Sequence, residues 1–317
     1  MDKSTSINLR VNKKQILLVL LMVIGLYVIV PQIGDFKSSL HLLLKPQPQW
    51  VVVAVALTAT TYFAGALTYL LLAFKKLRYQ QVVLVQLAAM FINRLLPGGI
   101  GALGANYAYL RHAKHSPTQA GSAVAINNLL GVVGHVVLVV GTMLLYSGQT
   151  NFVSGSNKFI NLFLVFSGIL ALVFVLVYLV FGRKKFVRAL KDIRKQLLSY
   201  KKRPLRLPLA LLSSMSLTAF NVLCLSACAM AMGVHVSFAV VLLIFSFGVG
   251  AGTATPTPGG LGGFEAGLVA GFVAYGVATP VALAVALLYR IISYWLPLLV
   301  GGVAFIICQQ RQLFSAR

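Results

Sequence analysis

The sequence predicts an all-α polytopic membrane protein, an inverted-topology repeat with two re-entrant broken-helix hairpins and about six full transmembrane spans. Hydrophobic residues make up 59% of the 317, whereas soluble domains have about 45–50% apolar residues. The excess lies in runs of about 20 or more residues, which suit membrane-crossing helices and not the short alternating segments of a β-barrel. A Pro-Gly-Gly-(Ile/Leu)-Gly motif also occurs twice, at 97–101 and at 258–262.

The charge of the chain is strongly positive, with 27 Lys and Arg against 4 Asp and Glu. In a soluble protein this excess would suggest a nucleic-acid partner. Here the basic residues lie between apolar runs, where the positive-inside rule accounts for them, and we expect no nucleic-acid partner. The three cysteines lie in apolar segments without metal-ligand spacing. They are predicted to pack in the core, and neither a metal nor a cofactor is predicted.

Eight apolar segments are predicted, and the first is a retained span because no small-residue cleavage site follows it. Their approximate bounds are 15–34, 49–74, 81–110, 117–146, 159–181, 207–232, 237–277 and 279–308. Prolines and glycines interrupt the third segment at 97–101 and the seventh at 256–262. Because proline lacks a backbone donor and glycine loosens the chain, we expect a helix to end at each of these tips.

Two basic loops, at 75–78 and 183–206, set the predicted topology, since both should face the cytosol. An even number of crossings must separate them, but three apolar segments lie between. The broken segment 81–110 is therefore predicted to enter and return on the same side. The same reasoning makes 237–277 a hairpin from the opposite side. A single integral membrane domain, 1–317, then contains two inverted repeats, 49–146 and 207–308, with both chain termini in the cytosol.

The loop 183–206 carries eleven Lys and Arg residues. Among them, apolar side chains recur at helical spacing, at Phe186, Leu190, Ile193 and Leu197. This pattern predicts an amphipathic cytosolic helix that lies on anionic lipid.

Each hairpin tip is predicted to bind an anion near the middle of the membrane. The second half-helix of each hairpin begins there, with free N–H groups and partial positive charge. Glycines let a ligand approach the backbone, and phosphate is the anion that such sites favour. The predicted substrate-binding residues of the tips are Pro97, Gly98, Gly99, Gly101, Pro258, Gly259, Gly260 and Gly262.

Five further polar side chains in the apolar segments are candidates for substrate binding. Glu265 is the one acidic residue inside an apolar stretch, where charges are costly. It would accept a cationic head group, carry a proton, pair with Arg94 or Arg290, or simply cap its own helix. The two arginines would contact a phosphate. Asn128 and His135 share one helical face, with interhelical hydrogen bonding as the alternative role.

The second repeat resembles a known family. Residues 256–265 read PTPGGLGGFE, and residues 290–297 read RIISYWLP. This pattern is similar to the signature of the lysylphosphatidylglycerol synthetase transmembrane (flippase-like) family, whose membrane core resembles residues 10–310. The resemblance implies lipid translocation across the plasma membrane. Several members carry an aminoacyl-transferase domain after the membrane part, and the resemblance is to the membrane part only, without that domain. The first repeat departs from the family pattern, because no acid follows its glycines.

These observations favour a flippase-like transporter for a phospholipid or another lipid-linked anionic head group. No catalytic motif is present in the sequence, so we expect no enzyme activity. Two alternatives remain open: a membrane-embedded lipid or polyprenyl transferase, and a non-transporting accessory subunit of a lipid or glycan pathway. The expected partners are a membrane lipid with a phosphate head group, anionic lipids at 183–206, and a separate synthetase or glycosyltransferase chain.

Overall fold

The computed structural model describes residues 41–96, 99–146, 195, 197–198, 200, 203–255 and 257–315, and its regular structure within these ranges is helical. The helices are α1 (Pro48–Leu72), α2 (Tyr79–Leu95), α3 (Ile100–His112), α4 (Pro117–Tyr146), α5 (Arg206–Ala231), α6 (Phe238–Ala254), α7 (Gly263–Ala274), α8 (Thr279–Arg290) and α9 (Leu296–Gln310). A 3₁₀ turn at Pro258–Gly260 precedes α7, and a π-helical turn at Ile291–Trp295 joins α8 to α9.

Helices long and apolar enough to cross a membrane confirm the multi-pass class. Four such stretches lie in the described part of the chain: Pro48–Leu72, Pro117–Leu145, Arg206–Ala231 and Thr279–Gln310. The predicted spans 15–34 and 159–181, and most of the predicted amphipathic loop 183–206, lie outside the described residues.

Both interrupted segments are divided into two short helices, and each first half ends before its prolines. α2 ends at Leu95 and α6 ends at Ala254. The four half-helices have 17, 13, 17 and 12 residues. At about 1.5 Å per residue they are about 18–26 Å long, less than the roughly 30 Å of a hydrocarbon core.

One end of the bundle gathers the basic loops, and we call it the basic face. Arg206 donates a hydrogen bond to the Ala73 carbonyl at 2.9 Å, and the Lys75 ammonium donates to the Lys114 carbonyl. The basic side chains here are Lys75, Lys76, Arg78, Arg111, Lys114, Arg203, Arg206 and Arg311. Since Lys75, which precedes α2, and Lys114, which follows α3, meet at this face, the α2–α3 pair begins and ends there.

A histidine joins two loops of the basic face. His115 Nε2 accepts hydrogen bonds from the Phe74 and Lys75 amides, both at 3.2 Å. Nδ1 lies 3.1 Å from the Leu110 carbonyl, so the ring is neutral, with its proton on Nδ1. Burial lowers the pKa of this imidazole, and the nearby Lys75 charge acts in the same direction. The neutral ring therefore fixes the 73–78 loop against the end of α3.

The opposite end of the bundle holds the beginning and the end of the α6–α7 pair. The Gln47 amide donates to the Ala231 carbonyl at 3.0 Å, which sets the start of α1 beside the end of α5. Val236, before α6, and Val277, after α7, pack against the same apolar cluster as Trp50 of α1. The α6–α7 pair therefore starts and finishes at the face opposite the basic one.

Close helix packing holds the two pairs in position. The antiparallel helices α1 and α5 are linked by Ser213, which donates to the Ala64 carbonyl at 2.8 Å and accepts from Thr68 at 3.1 Å. α6 and α7 approach through glycines, so that a Cβ added at Gly267 would lie 2.8 Å from the Gly248 Cα. Small residues allow such contact between membrane helices.

Candidate functional site

A cavity of about 560 Å³ lies between the two glycine-rich tips. Its walls come from the end of α2, both tips, α5, α6 and the α8–π-turn region. The lining includes Asn93, Arg94, Gly99, Thr253, Thr255, Thr257, Gly259, Gly260, Tyr289, Arg290, Ser293 and Tyr294. Residues 100 to 200 positions apart in the sequence thus meet at one site.

The second tip packs directly onto an aromatic ring of the π turn. Gly259 has φ +65°, and a Cβ added there would lie 2.3 Å from Cε2 of Tyr294. Both the backbone conformation and the lack of space therefore require glycine at this position. The contact connects the second hairpin to the helix that follows it.

The carboxylate of Glu265 is engaged entirely within the second repeat. Oε2 accepts the Gly262 amide at 2.8 Å, which caps α7. Oε1 lies 2.6 Å from Nε of Arg290, and Nη2 of the same arginine lies 3.3 Å from Oε2. Of the roles that the sequence left open, the structure contains the helix cap and the pairing with Arg290. Glu265 is not among the residues that line the cavity.

Arg290 shapes the second tip. It is 7% exposed, and its Nη2 also lies 3.3 Å from the carbonyl oxygens of Gly259 and Gly260. The guanidinium lies over the Phe264 ring, 4.4 Å from the ring centroid. Its charge is balanced by Glu265, and its hydrogen bonds hold the tip carbonyls in place.

Arg94 differs from Arg290, because it has no carboxylate partner among the described residues. It comes from the last turn of α2, is 6% exposed and lines the cavity. Nη2 donates to the Ser293 carbonyl at 2.5 Å, and Tyr62 lies close to the guanidinium. Nη1 is buried without a hydrogen-bond partner among the described residues. The guanidinium is therefore held by the Ser293 carbonyl and lies beside Tyr62, with Nη1 unpaired among the described residues.

A proline explains why the Ser293 carbonyl is available. Pro297, four residues later, has no N–H to donate to that carbonyl. The helix widens into its π turn here, as the Leu296 amide bonds to the Ile291 carbonyl, five residues earlier. π turns are frequent at functional sites. In this chain the turn provides an acceptor for Arg94.

The charges around the cavity do not balance. Glu265 is the sole acidic side chain within the described ranges, because the other three acidic residues of the sequence lie outside them. It pairs with Arg290, so Arg94 has no carboxylate partner in the part of the chain that the structure describes. A buried guanidinium without a counter-charge favours an anion. Its planar fork matches two oxygens of a phosphate.

Neutral polar groups form the rest of the hydrogen-bonding surface. The hydroxyls of Thr253, Thr255 and Thr257 each donate to a nearby backbone carbonyl, at 2.7 to 2.8 Å. Their oxygens retain the capacity to accept a hydrogen bond. Asn93 accepts the Ala102 amide through Oδ1 at 3.2 Å, which leaves its Nδ2 as a donor. The lining therefore offers donors and acceptors without negative charge.

Some predicted site residues meet at the cavity, and others do not. The lining includes Arg94, Gly99, Gly259, Gly260 and Arg290. Three more lie beside the tips without lining it: Gly101, Pro258 and Gly262. Gly101 instead packs against α2, where an added Cβ would lie 2.6 Å from the Ile92 carbonyl oxygen. Pro97 and Gly98 lie outside the described residues.

The two candidates on α4 are not part of the cavity wall. Asn128 is exposed and donates to the Val124 carbonyl of its own helix at 2.8 Å. The His135 ring packs against Phe245, at 6.4 Å between ring centroids. His135 thus makes an interhelical contact behind a lining residue, and Asn128 makes a local one.

Several lining residues were not predicted from the sequence, among them Ser293, Tyr294, Thr253 and Thr255. Tyr294 lies between the arginines, at 4.8 Å from Arg94 and 5.2 Å from Arg290, measured from the guanidinium carbon to the ring centroid. Its position within the RIISYWLP motif was an available signal. The hydroxyl run at 253–257 precedes the second tip and was another.

Comparison with known proteins identifies a family. A family model described as the lysylphosphatidylglycerol synthase TM region matches residues 15–301. A comparison with curated protein sequences finds no match. Since the family match covers most of the chain, including both tips and both arginines, the chain belongs to the lysylphosphatidylglycerol synthase transmembrane family.

Proposed function

We propose that the protein is a flippase-like transporter, which moves a phospholipid or another lipid-linked anionic head group across the plasma membrane. The observation that carries the proposal is Arg94, a buried guanidinium in the wall of the cavity between the tips, with no carboxylate partner among the described residues. Phosphate is the anion that its geometry suits. Membership of a lipid-related membrane family supports the same function.

The proposal includes two re-entrant hairpins in an inverted repeat. The α2–α3 pair would enter from the basic face, and the α6–α7 pair from the opposite face. The lengths of these half-helices support this, because each is shorter than a membrane crossing. Secondary transporters with inverted repeats bind their substrate near the midplane, where broken helices meet. The cavity between the tips would correspond to that position.

The proposed orientation puts the basic face in the cytosol. Eight Lys and Arg side chains of the described loops and helix ends lie at that face, and cytosolic loops are rich in these residues. Both chain termini would then be cytosolic, and the basic loop 183–206 would contact anionic lipid of the same leaflet.

A second candidate is a non-transporting accessory subunit, favoured by the ion pair between Glu265 and Arg290. Such a pair holds the fold without taking part in transport. The transferase alternative needs a second acid or base beside Glu265. The contacts of that carboxylate within the described residues are the Gly262 amide and Arg290. The cavity and its unbalanced Arg94 favour transport over both alternatives.

The test is lipid translocation by the purified chain in vesicles that contain fluorescent phosphatidylglycerol. Replacing Arg94 with Gln should lower the rate by roughly 10- to 100-fold, since hydrogen bonds to charged groups contribute about 1.5–3 kcal/mol. Arg94→Lys should retain part of the activity because it keeps the charge.

Arg311→Gln is the matched control, because it removes a cationic side chain from the basic face, away from the cavity. Its translocation rate should equal that of the wild type. Translocation that is unaffected by Arg94→Gln would contradict the assigned role. Absence of translocation by the wild type would favour the accessory subunit.

A further inference from the structure

We infer that the lipid recognised in this cavity carries a phosphate and a neutral, hydroxyl-bearing head group without an ammonium group. The inference rests on the proposed function and specifies its substrate class. It begins from Glu265, the one carboxylate in the described part of the chain. Both of its oxygens are occupied, by the Gly262 amide and by Arg290, and it does not line the cavity. An amine in the head group would find no carboxylate among the described residues of the cavity wall.

Aromatic faces are the other common partners of ammonium groups, and arginines lie over two of the aromatic rings in the cavity wall, those of Phe264 and Tyr294. The Arg290 guanidinium carbon lies 4.4 Å from the Phe264 ring centroid. Tyr294 has both guanidinium groups within reach of its ring, at 4.8 and 5.2 Å. Tyr289 stacks against Phe264, at 5.8 Å between centroids and 15° between ring planes. An incoming ammonium would compete with cations that are already in place and be repelled by them.

A neutral head group, in contrast, meets suitable partners. The oxygens of Thr253, Thr255 and Thr257 can accept hydrogen bonds from hydroxyl groups. The Nδ2 amide of Asn93 can donate to a hydroxyl or ester oxygen next to the phosphate held by Arg94. The lining thus matches a phosphate that is linked to a glycerol or sugar.

Binding of three lipids by the purified full chain tests this inference, with native mass spectrometry as the readout. The probes are phosphatidylglycerol, its lysyl ester, and diacylglycerol as a control without phosphate. Phosphatidylglycerol should be retained at least about tenfold more strongly than the other two, which corresponds to a binding difference of about 1.4 kcal/mol. Equal or stronger retention of the lysyl ester overturns this inference and leaves the proposed function standing.

Retention of neither phosphate lipid above diacylglycerol overturns the proposed function, and this inference with it. The two failures are therefore distinguishable by which of the three lipids the protein retains.

A substitution that introduces a carboxylate tests the same idea from the protein side. Asn93→Asp keeps the Oδ1 acceptor for the Ala102 amide and sets a negative charge beside Arg94. It should weaken retention of phosphatidylglycerol by about tenfold or more and strengthen that of the lysyl ester, so that the preference reverses.

The matched control is Gln119→Glu, the same amide-to-carboxylate change on the basic face. The Gln119 Oε1 accepts the Ser116 amide at 3.0 Å, and Glu preserves this contact. Its lipid preference should equal that of the wild type. An unchanged preference in Asn93→Asp, with an unaltered thermal unfolding midpoint, would contradict the inference.

Discussion

Glu265 is the residue whose role the structure changes most. Its isolation among apolar residues made it a candidate for a head group, a proton or an ion pair. In the fold it caps α7 and balances Arg290, so its carboxylate has little remaining capacity. The cavity-lining charge without a carboxylate partner among the described residues is instead that of Arg94, which precedes the first tip.

Replacing Glu265 with Ala should therefore act mainly on stability. It leaves Arg290 buried without a counter-charge, which typically costs about 3–5 kcal/mol. A large fall in the thermal unfolding midpoint in detergent is expected. Adding Arg290→Met should recover part of the loss, because the uncompensated charge is then removed. A single variant with wild-type stability and no transport would instead indicate a direct role for Glu265 in transport.

His115 should make the basic face sensitive to acid. Its pKa is lowered in the fold, so its contribution is complete above the unfolded value of about 6.5 and is lost as pH falls through the folded pKa. Protonated Nε2 cannot accept the Phe74 and Lys75 amides. Hydrogen exchange of these two amides, corrected for intrinsic rates, should accelerate between pH 7.5 and about pH 5. Exchange in His115→Gln should lose this pH dependence.

Among the elements, the π turn and the second tip depend on each other through Tyr294. Gly259→Ala should push the ring away, since the added Cβ would lie 2.3 Å from it. We expect a lower unfolding midpoint and at least about tenfold weaker lipid binding. Gly233→Ala is the control, because that residue has φ +74° but no atom within 4 Å of an added Cβ. Equal effects of the two substitutions would mean that backbone strain alone is responsible.

The helix breaks could be predicted from the sequence, because proline and glycine act on their own local backbone. The π turn could not, since residues 279–308 form one continuous apolar run. Pro297 leaves the Ser293 carbonyl without its helical donor, and the residue that donates to it instead, Arg94, is 199 positions away in the sequence. For the same reason the sequence identified both arginines but could not separate their roles. That separation depends on which one Glu265 reaches in three dimensions.

For the molecule as a whole, the inverted repeat was predicted from the two basic loops, which require an even number of membrane crossings between them. Cysteine labelling can test this topology. The three native cysteines are buried, so a thiol reagent should label only the introduced cysteines. Lys76→Cys and Lys114→Cys should react from one side of the membrane, and His235→Cys and Ala278→Cys from the other. Leu96→Cys, at the first tip, should resist a bulky impermeant reagent from both sides. Its labelling from the side opposite Lys76 would indicate two full crossings in place of a hairpin.

The Ser293 carbonyl has a consequence for how the empty carrier behaves. Under the proposed function, an arriving phosphate competes with this carbonyl for the Arg94 guanidinium. While the cavity is empty, the same contact ties α2 to the π turn and so joins the two halves of the molecule. Under that function, the arriving lipid phosphate would weaken this link between α2 and the π turn. Such a carrier would remain closed without lipid, and the membrane would be protected from uncoupled leakage.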